Sequence, residues 1–417
     1  MRQCAGLHAR FAPHRAGNLE LSVVNVLRLG FPPAWRTLVR LLAAGLLLAL
    51  ALPPEARARA MPELPIKVTD LAGREVVLPR AARRLVLGAW VSLDALSLLH
   101  PDPVGLVVGW AEGGANTIQP AIVRARYPAV DRIPAIGRGT LDSLSAETII
   151  ALKPDLVVLS SFDLQRYGSG PASYPPAFGQ LEAAGIAIVV VDFFLQPLEN
   201  TEPSLRLLGK LIGREAQAEA YIGFYRGRLD RIAGRLADAK QPRPAVFFHA
   251  FADRPDCCFT AGPGTVDGMI RAAGGVNIGS ERLTGPIGQV SLEFLISRNP
   301  DVYVASAIGA PAGLAFGPGI AAERAASGFA ALIRRPDLAA LGAMAGGRAH
   351  GLWHLFVHTP VHVVAIERLA KWLHPRLFAD LDPDATLYEI NTRYLAAPLD
   401  GSFWTDGPPA APAPTRR

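Results

Sequence analysis

The feature that most restricts the fold is an alternation of short apolar runs and helical segments that stops once and then begins again. "RLVLG", "VGLVVGW", "DLVVLSS" and "IAIVVVD" are continuous runs rich in Val, Ile and Leu, and "IPAIG" is a shorter one. "SLDALSLL", "IQPAIVRARYP", "SAETIIALK" and "PPAFGQLEAAG" lie between them with helical spacing. A strand without polar alternation is buried on both faces, so the pattern predicts a parallel sheet covered by helices on each side. Ahead of it, "IKVTDLAGREVVLP" has two alternating runs around Ala72-Gly73 and predicts a β-hairpin.

The rhythm breaks at Glu202. From there to about Lys240 the chain reads as helix, and Ile222, Tyr225, Leu229, Ile232 and Leu236 form one apolar stripe. "KQPRP" ends the helix and the strand-helix pattern restarts. "AVFFHAF" and "DVYVAS" read as strands. "VDGMIRAAGG", "SLEFLISRN" and segments from about Pro360 to Leu373 and Asp384 to Tyr394 read as helices. The predicted class is α/β: two Rossmann-like lobes with parallel-rich central sheets, joined by a single long helix, with a cleft between them. The expected boundaries are 61–201 for the first lobe, 202–240 for the linking helical segment and 241–398 for the second lobe. The Pro/Ala-rich tail is set at 399–417, and its stretch "GPPAAPAPTRR" is expected to be disordered.

The N-terminus reads as a secretory signal peptide with a long basic extension. Arg36 and Arg40 precede the apolar run "LLAAGLLLALAL", too short for a mature span, and Ala58-Arg59-Ala60 fits a small-x-small cleavage rule. Cleavage near Ala60 is expected, with residence in the periplasm. The leader also accounts for the basic charge. The chain has 42 basic and 36 acidic residues, and residues 1–60 hold 8 and 2 of them, which leaves 34 against 34. A neutral mature chain gives no support for nucleic-acid binding.

Several phrases on this plan resemble the periplasmic substrate-binding proteins of ABC importers for iron chelates, haem and vitamin B12. They are "IGRGTLDSLSAETIIALKPDLVVLSS", "GPIGQVSLEFLISRNPDVYVAS", "FTAGPGTVDGMIRAAGGVNIG" and "LAKWLHPRLFADLDPDA", and the resemblance runs over roughly residues 65–398. It implies a binding protein rather than an enzyme, a long helix that joins the lobes stiffly, and a membrane permease as partner. It also implies that Glu147 and Glu293, one per lobe, dock onto permease arginines. The two acids sit in internally similar segments, which suggests a pseudo-repeat. Their simpler role is to complement a helix N-terminus. A monomer is expected, and no resident cofactor.

Ligand sites of open α/β sheets lie beyond the carboxyl ends of the strands. In the first lobe those loops carry Trp90, Trp110, Arg138 and, with Arg166, Tyr167. The tryptophans read either as core packing or as an aromatic wall. Arg138 reads as a surface cation or as a fixed charge for an anionic chelate, since the resemblance places an arginine near this position in hydroxamate-siderophore binders. In the second lobe they carry Cys257, Cys258, Trp353, His354 and His358. His350, His354, His358 and His362 recur every four residues, but Pro360 and the apolar residues between them predict a loop, where such spacing does not make a metal site. One of these histidines, or Tyr167, would be an axial ligand if the cargo were haem.

Competing readings are weaker. No G-x-S-x-G elbow, P-loop lysine or strand-following G-x-G-x-x-G is present. The Gly-Pro-Gly after the cysteines reads as a turn leading to a helix capped by Thr265. The adjacent cysteines lack the spacer of a redox motif. Neighbouring cysteines seldom converge on one ion and the mature chain has no third, so metal ligation by the pair is not expected. A vicinal disulfide at the cleft mouth and two buried free thiols both remain open. The first expectation for cargo is a ferric siderophore, with haem and cobalamin as alternatives in the same family. A secreted two-lobed α/β enzyme is the alternative of another class.

Overall fold

In a computed structural model the described residues are 64–111, 120–137, 141–165, 174–239, 241–254, 256–308 and 313–408. The expected signal peptide, Arg138, Arg166 and Tyr167 lie outside them. The hairpin forms as read, with β1 (Ile66–Thr69) antiparallel to β2 (Glu75–Leu78). The first sheet then has five parallel strands: β3 (Leu85–Leu87), β4 (Val107–Ala111), β5 (Ala135–Gly137), β6 (Leu156–Ser160) and β7 (Ala187–Val191). Their spatial order is β5-β4-β3-β6-β7. Alternate residues of each strand enter two separate cores. Leu85, Leu87, Leu156, Val158, Val189 and Val191 join one, and Val86, Val157, Leu159, Ile188 and Val190 join the other. A strand that serves two cores needs an apolar residue at every position, which is why these runs are continuous.

The helical segment is two helices, not one. Pro197–Leu211 is followed by Ile212-Gly213-Arg214 and then by Glu215–Ala239. Gly213, at φ 67°, ends the first helix in a conformation that glycine adopts at little cost. On the 25-residue second helix the predicted stripe faces inward: Ile222, Tyr225 and Ile232 are buried, with Leu229 and Leu236 packed beside them.

The second sheet has seven strands. At its centre β8 (Ala245–His249), β12 (Val302–Ala307) and β14 (Ala349–Trp353) run parallel. Antiparallel partners extend both sides: β9 (Phe259–Ala261) and β11 (Ile287–Gln289) beyond β8, and β16 (Trp404–Asp406) beyond β14. The two-residue β10 (Val276–Asn277) pairs with β8. A small separate pairing joins β13 (Gly317–Pro318) to β15 (Gly401–Ser402).

The strands at 401–406 correct the expectation of a tail from residue 399. Asp406 accepts hydrogen bonds from Trp372 Nε1 at 2.6 Å and Arg368 Nη2 at 3.0 Å, and its Oδ1 lies 2.9 Å from His350 Nδ1. Those partners are far upstream, so composition alone could not reveal the added strand. The C-terminal helices appear at Val363–Leu373 and Pro383–Arg393, close to where they were read. No described helix is long and apolar enough to cross a membrane.

Candidate functional site

In the first sheet the strand order reverses direction between β3 and β6, so the loops leaving these two strands part and open a crevice. Ala89 follows β3, Ser160 ends β6 and Phe162 follows it. They line a cavity of about 50 Å3 together with Val191, Phe194 and, from the second lobe, His358. A cavity therefore lies where the topology places one, and side chains of both lobes line it.

The loop after β7 is held by one carboxylate. Asp192 is buried and accepts from the backbone N–H groups of Phe194, Leu195 and Gln196 at 2.8–3.0 Å, and from Asn200 Nδ2 at 2.8 Å. This fixes Phe194 so that its ring stacks on His358, with centroids 4.1 Å apart and planes 8° apart. The stack bridges the lobes. Phe162 meets Phe194 edge-on at 4.8 Å. Sequence reading missed Phe162 and Phe194, although both lie where a strand ends, the same signal that singled out the tryptophans.

The second-lobe wall is made by the segment after β14. His354–His358 is a 3-10 turn, and Pro360–His362 is another. The four evenly spaced histidines do not share a face. His350 bonds Asp406, His354 Nδ1 lies 2.9 Å from Ser306 Oγ, and His362 Nε2 lies 2.7 Å from the Tyr225 hydroxyl. His358 Nε2 is buried without a hydrogen-bond partner among the described residues.

Burial pushes the His358 and His362 imidazoles down to about 4, and that of His354 well below its ordinary value, with His358 and Arg254 adding to the effect. All three are neutral at pH 7, which leaves a lone pair on one nitrogen of each ring. The sign for stability follows. Unfolded histidines take up protons near pH 6.5, while the folded chain holds His358 and His362 neutral down to about 4. Stability is full above pH 6.5 and falls as pH drops, by roughly 1.4 kcal/mol per pH unit for each histidine. Urea midpoints are expected to be level from pH 8 to 7 and to fall between pH 6.5 and 4. A level midpoint down to pH 5 would show that these rings are solvated.

Trp90, in the loop after β3, is half-buried and lines a smaller void with Asp94, Arg126, Pro318 and Trp353. Trp353 ends β14 and is 1% exposed, packed edge-on against Phe356 and Phe403. Trp110 is in the main core, which matches its packing alternative. Cys257 and Cys258 are joined as a vicinal disulfide, with Cys258 buried and Cys257 half-buried. Thr265 does not cap the next helix; it is the first helical residue, behind Gly264 at φ 93°.

Glu147 and Glu293 have matching positions away from this crevice. Each is the second residue of a helix, Ala146–Ala151 or Leu292–Arg298, and each is exposed. Ser145 and Ser291 cap the two helices by accepting from Thr148 N and Phe294 N. Hydrogen bonds from its own backbone amide and from Ser291 hold the Glu293 carboxyl below its ordinary value.

The family profile described as periplasmic binding protein matches residues 96–348. Among curated proteins, a cobalamin-binding protein of Halobacterium salinarum is 28% identical over 179 residues, 42% of this chain and 44% of that protein. The chain thus spans less than half the length of the curated relatives it matches. Among solved structures, the TroA-like periplasmic binding protein FepB from Veillonella parvula aligns with a TM-score of 0.71 at 24% identity, over 82% of this chain and 100% of that one. The molybdate-binding MolA of Haemophilus influenzae aligns at 0.61 and 18% identity, over 81% and 100%. A periplasmic haem-binding protein from Pseudomonas aeruginosa aligns at 0.52 and 22% identity, over 79% and 100%. At these identities the structural matches establish the fold.

Proposed function

This chain belongs to the periplasmic binding protein family, and on that premise we propose that it captures a metal chelate in the periplasm and delivers it to the permease of an ABC importer. The observation that carries the reading is the crevice at the strand-order reversal. It is closed by an aromatic-histidine stack from the two lobes and presents a neutral imidazole whose Nε2 has no partner among the described residues. Aromatic faces and a free imidazole nitrogen suit a flat metal macrocycle with an open axial position, a corrinoid or haem. The cobalamin-binding relative supports the same class.

A ferric siderophore is the second reading, favoured by the sequence resemblance that matches Arg138 to an arginine of hydroxamate-siderophore binders. Cargo of either kind needs a pocket of roughly 300–1,000 Å3, so loading requires the described walls of the crevice to part. Trp90, between the lining residues Ala89 and Val91, is placed to report it. Glu147 and Glu293, exposed at matching helix starts, are the proposed contacts to the permease. The leader read at residues 1–60 would take the chain to that compartment.

The test is a titration of tryptophan fluorescence with haemin, cobalamin and a set of ferric siderophores. One member is expected to quench at one equivalent per chain without being consumed. If haemin or cobalamin is the cargo, His358→Ala is expected to remove the metal-ligation shift in the visible spectrum. A siderophore response that is insensitive to His358→Ala would move the assignment to the second reading. Silence towards the whole set would refute the chelate class.

A further inference from the structure

The chain leaving β8 turns back over the end of its own strand. His249, the last residue of β8, is 1% exposed. Its Nδ1 lies 2.5 Å from the Tyr303 hydroxyl, and its Nε2 is buried with no partner among the described residues. A buried polar nitrogen without a partner is uncommon in a folded chain and calls for an explanation. The neighbouring groups supply one. A ring nitrogen of His249 and the sulfurs of Cys257 and Cys258 all lie within 4.8 Å of one another. With Nδ1 taken by Tyr303, Nε2 is the nitrogen free to act.

The cysteines are held in place by backbone bonds. Cys258 N donates to Val290 O at 3.3 Å, Val290 N donates to Cys258 O at 3.1 Å, and Gln289 Nε2 donates to Cys257 O at 2.7 Å. No third donor was legible beside the pair, because His249 is reached only through the turn between two antiparallel strands.

We infer that Cys257, Cys258 and His249 form a redox-gated site for one thiophilic d10 cation of the Zn2+ or Cd2+ kind. As a disulfide the two sulfurs are bonded to each other and the site is closed. A dithiol reductant opens it: the S–S bond breaks, each sulfur gains one electron and one proton, and the reductant leaves as its own disulfide. The cation then bonds both thiolates and His249 Nε2, and the two thiol protons pass to solvent. Two sulfurs and an imidazole favour soft and borderline ions over Mg2+ or Ca2+, and three donors leave a fourth position open. Tyr303 orients the ring from its other nitrogen, as partners of ligating histidines do. Ser306 links the end of β8 to the segment that carries His358: its Oγ donates to His249 O at 3.4 Å and meets His354 Nδ1 at 2.9 Å.

The test uses Cd2+ and the full chain carrying Cys4→Ser, so that the pair is the sole source of thiols. Reduced with a phosphine and desalted without oxygen, the chain is expected to bind one Cd2+ and show a thiolate-to-cadmium charge-transfer band. The oxidised chain is expected to show neither. Tyr303→Phe keeps all three donors and is expected to weaken Cd2+ affinity about 10- to 100-fold. His249→Gln is expected to weaken it at least as much, with far-ultraviolet circular dichroism checking the fold. Equal binding by oxidised and reduced chains, no binding by the reduced chain, or unchanged affinity in a folded His249→Gln chain would each overturn the inference. The comparison of the two redox states needs no substitution at the site, so misfolding of a variant does not shield it.

Discussion

Replacing Glu147 and Glu293 together by lysine is expected to abolish import while leaving cargo affinity unchanged. Both carboxylates are exposed at the second position of a serine-capped helix, one in each lobe. Neither is among the residues lining the crevice, so reversing their charge has no direct route to the cargo. At an interface such rim charges set encounter rate and register, and like charges facing each other are repulsive. Two acids turned to lysine would face the arginines that the docking reading places on the permease. Glutamine at both positions removes the attraction without adding repulsion, and a milder loss of import is expected. Uptake of labelled cargo by cells carrying each variant, beside fluorescence titration of the purified chain, separates docking from binding. Full uptake in the lysine double variant would end the docking reading. Impaired uptake together with impaired cargo affinity would place the acids in binding instead.

Asp94→Ala is expected to cost the fold about 3–5 kcal/mol, the range for stripping one partner from a buried ion pair. Asp94 lies on the helix just after Trp90, and its Oδ1 accepts from Arg126 Nη1 at 2.6 Å with both side chains less than 10% exposed. Arg126 also donates through Nη2 to Ala397 O at 2.9 Å, and its guanidinium lies 5.0 Å from the centre of the Tyr127 ring. Removing the aspartate leaves a guanidinium in a buried site with only the Ala397 carbonyl and the Tyr127 hydroxyl to accept from it. Leaving a charge unpaired in the interior costs more than the pair itself contributes, so replacing both partners is the informative control. Asp94→Leu with Arg126→Met is expected to recover most of the loss. Urea unfolding of the three chains measures it. A single-variant cost below about 1 kcal/mol would mean that the pair behaves as a screened surface contact. The pair also ties the wall below Trp90 to the segment leading into β15 and β16, so Asp94→Ala is expected to loosen that C-terminal strand before the rest of the sheet.

The plan of the fold was legible because it rests on local chemistry. Strands buried on both faces need an apolar residue at each position, and Leu156–Ser160 and Ala187–Val191 spell that out one residue at a time. The inward stripe of Glu215–Ala239 and the two serine-capped acids are likewise properties of single helices, readable from spacing alone. The crevice was placed correctly in kind, beyond the carboxyl ends of the strands, because that follows from parallel topology. Trp90, Trp353, His354 and His358 were singled out by the same rule; the structure places His358 on the crevice and Trp90 with Trp353 on a neighbouring void.

What the tertiary structure decided are the relations between distant segments. Phe194 meets His358 only because Asp192 pins one loop and a 3-10 turn aims the other. Residues 401–406 were assigned to the tail by sequence, and become strand because β14 offers an open edge and Asp406 finds Trp372, Arg368 and His350. The cysteine pair, ambiguous as a dipeptide, gains a third donor when the turn after β8 brings His249 alongside it. Periodicity and capping act over a few residues and are written into the chain. Contacts across tens or hundreds of residues depend on where each element lies once the sheets have assembled, and no local pattern carries that information.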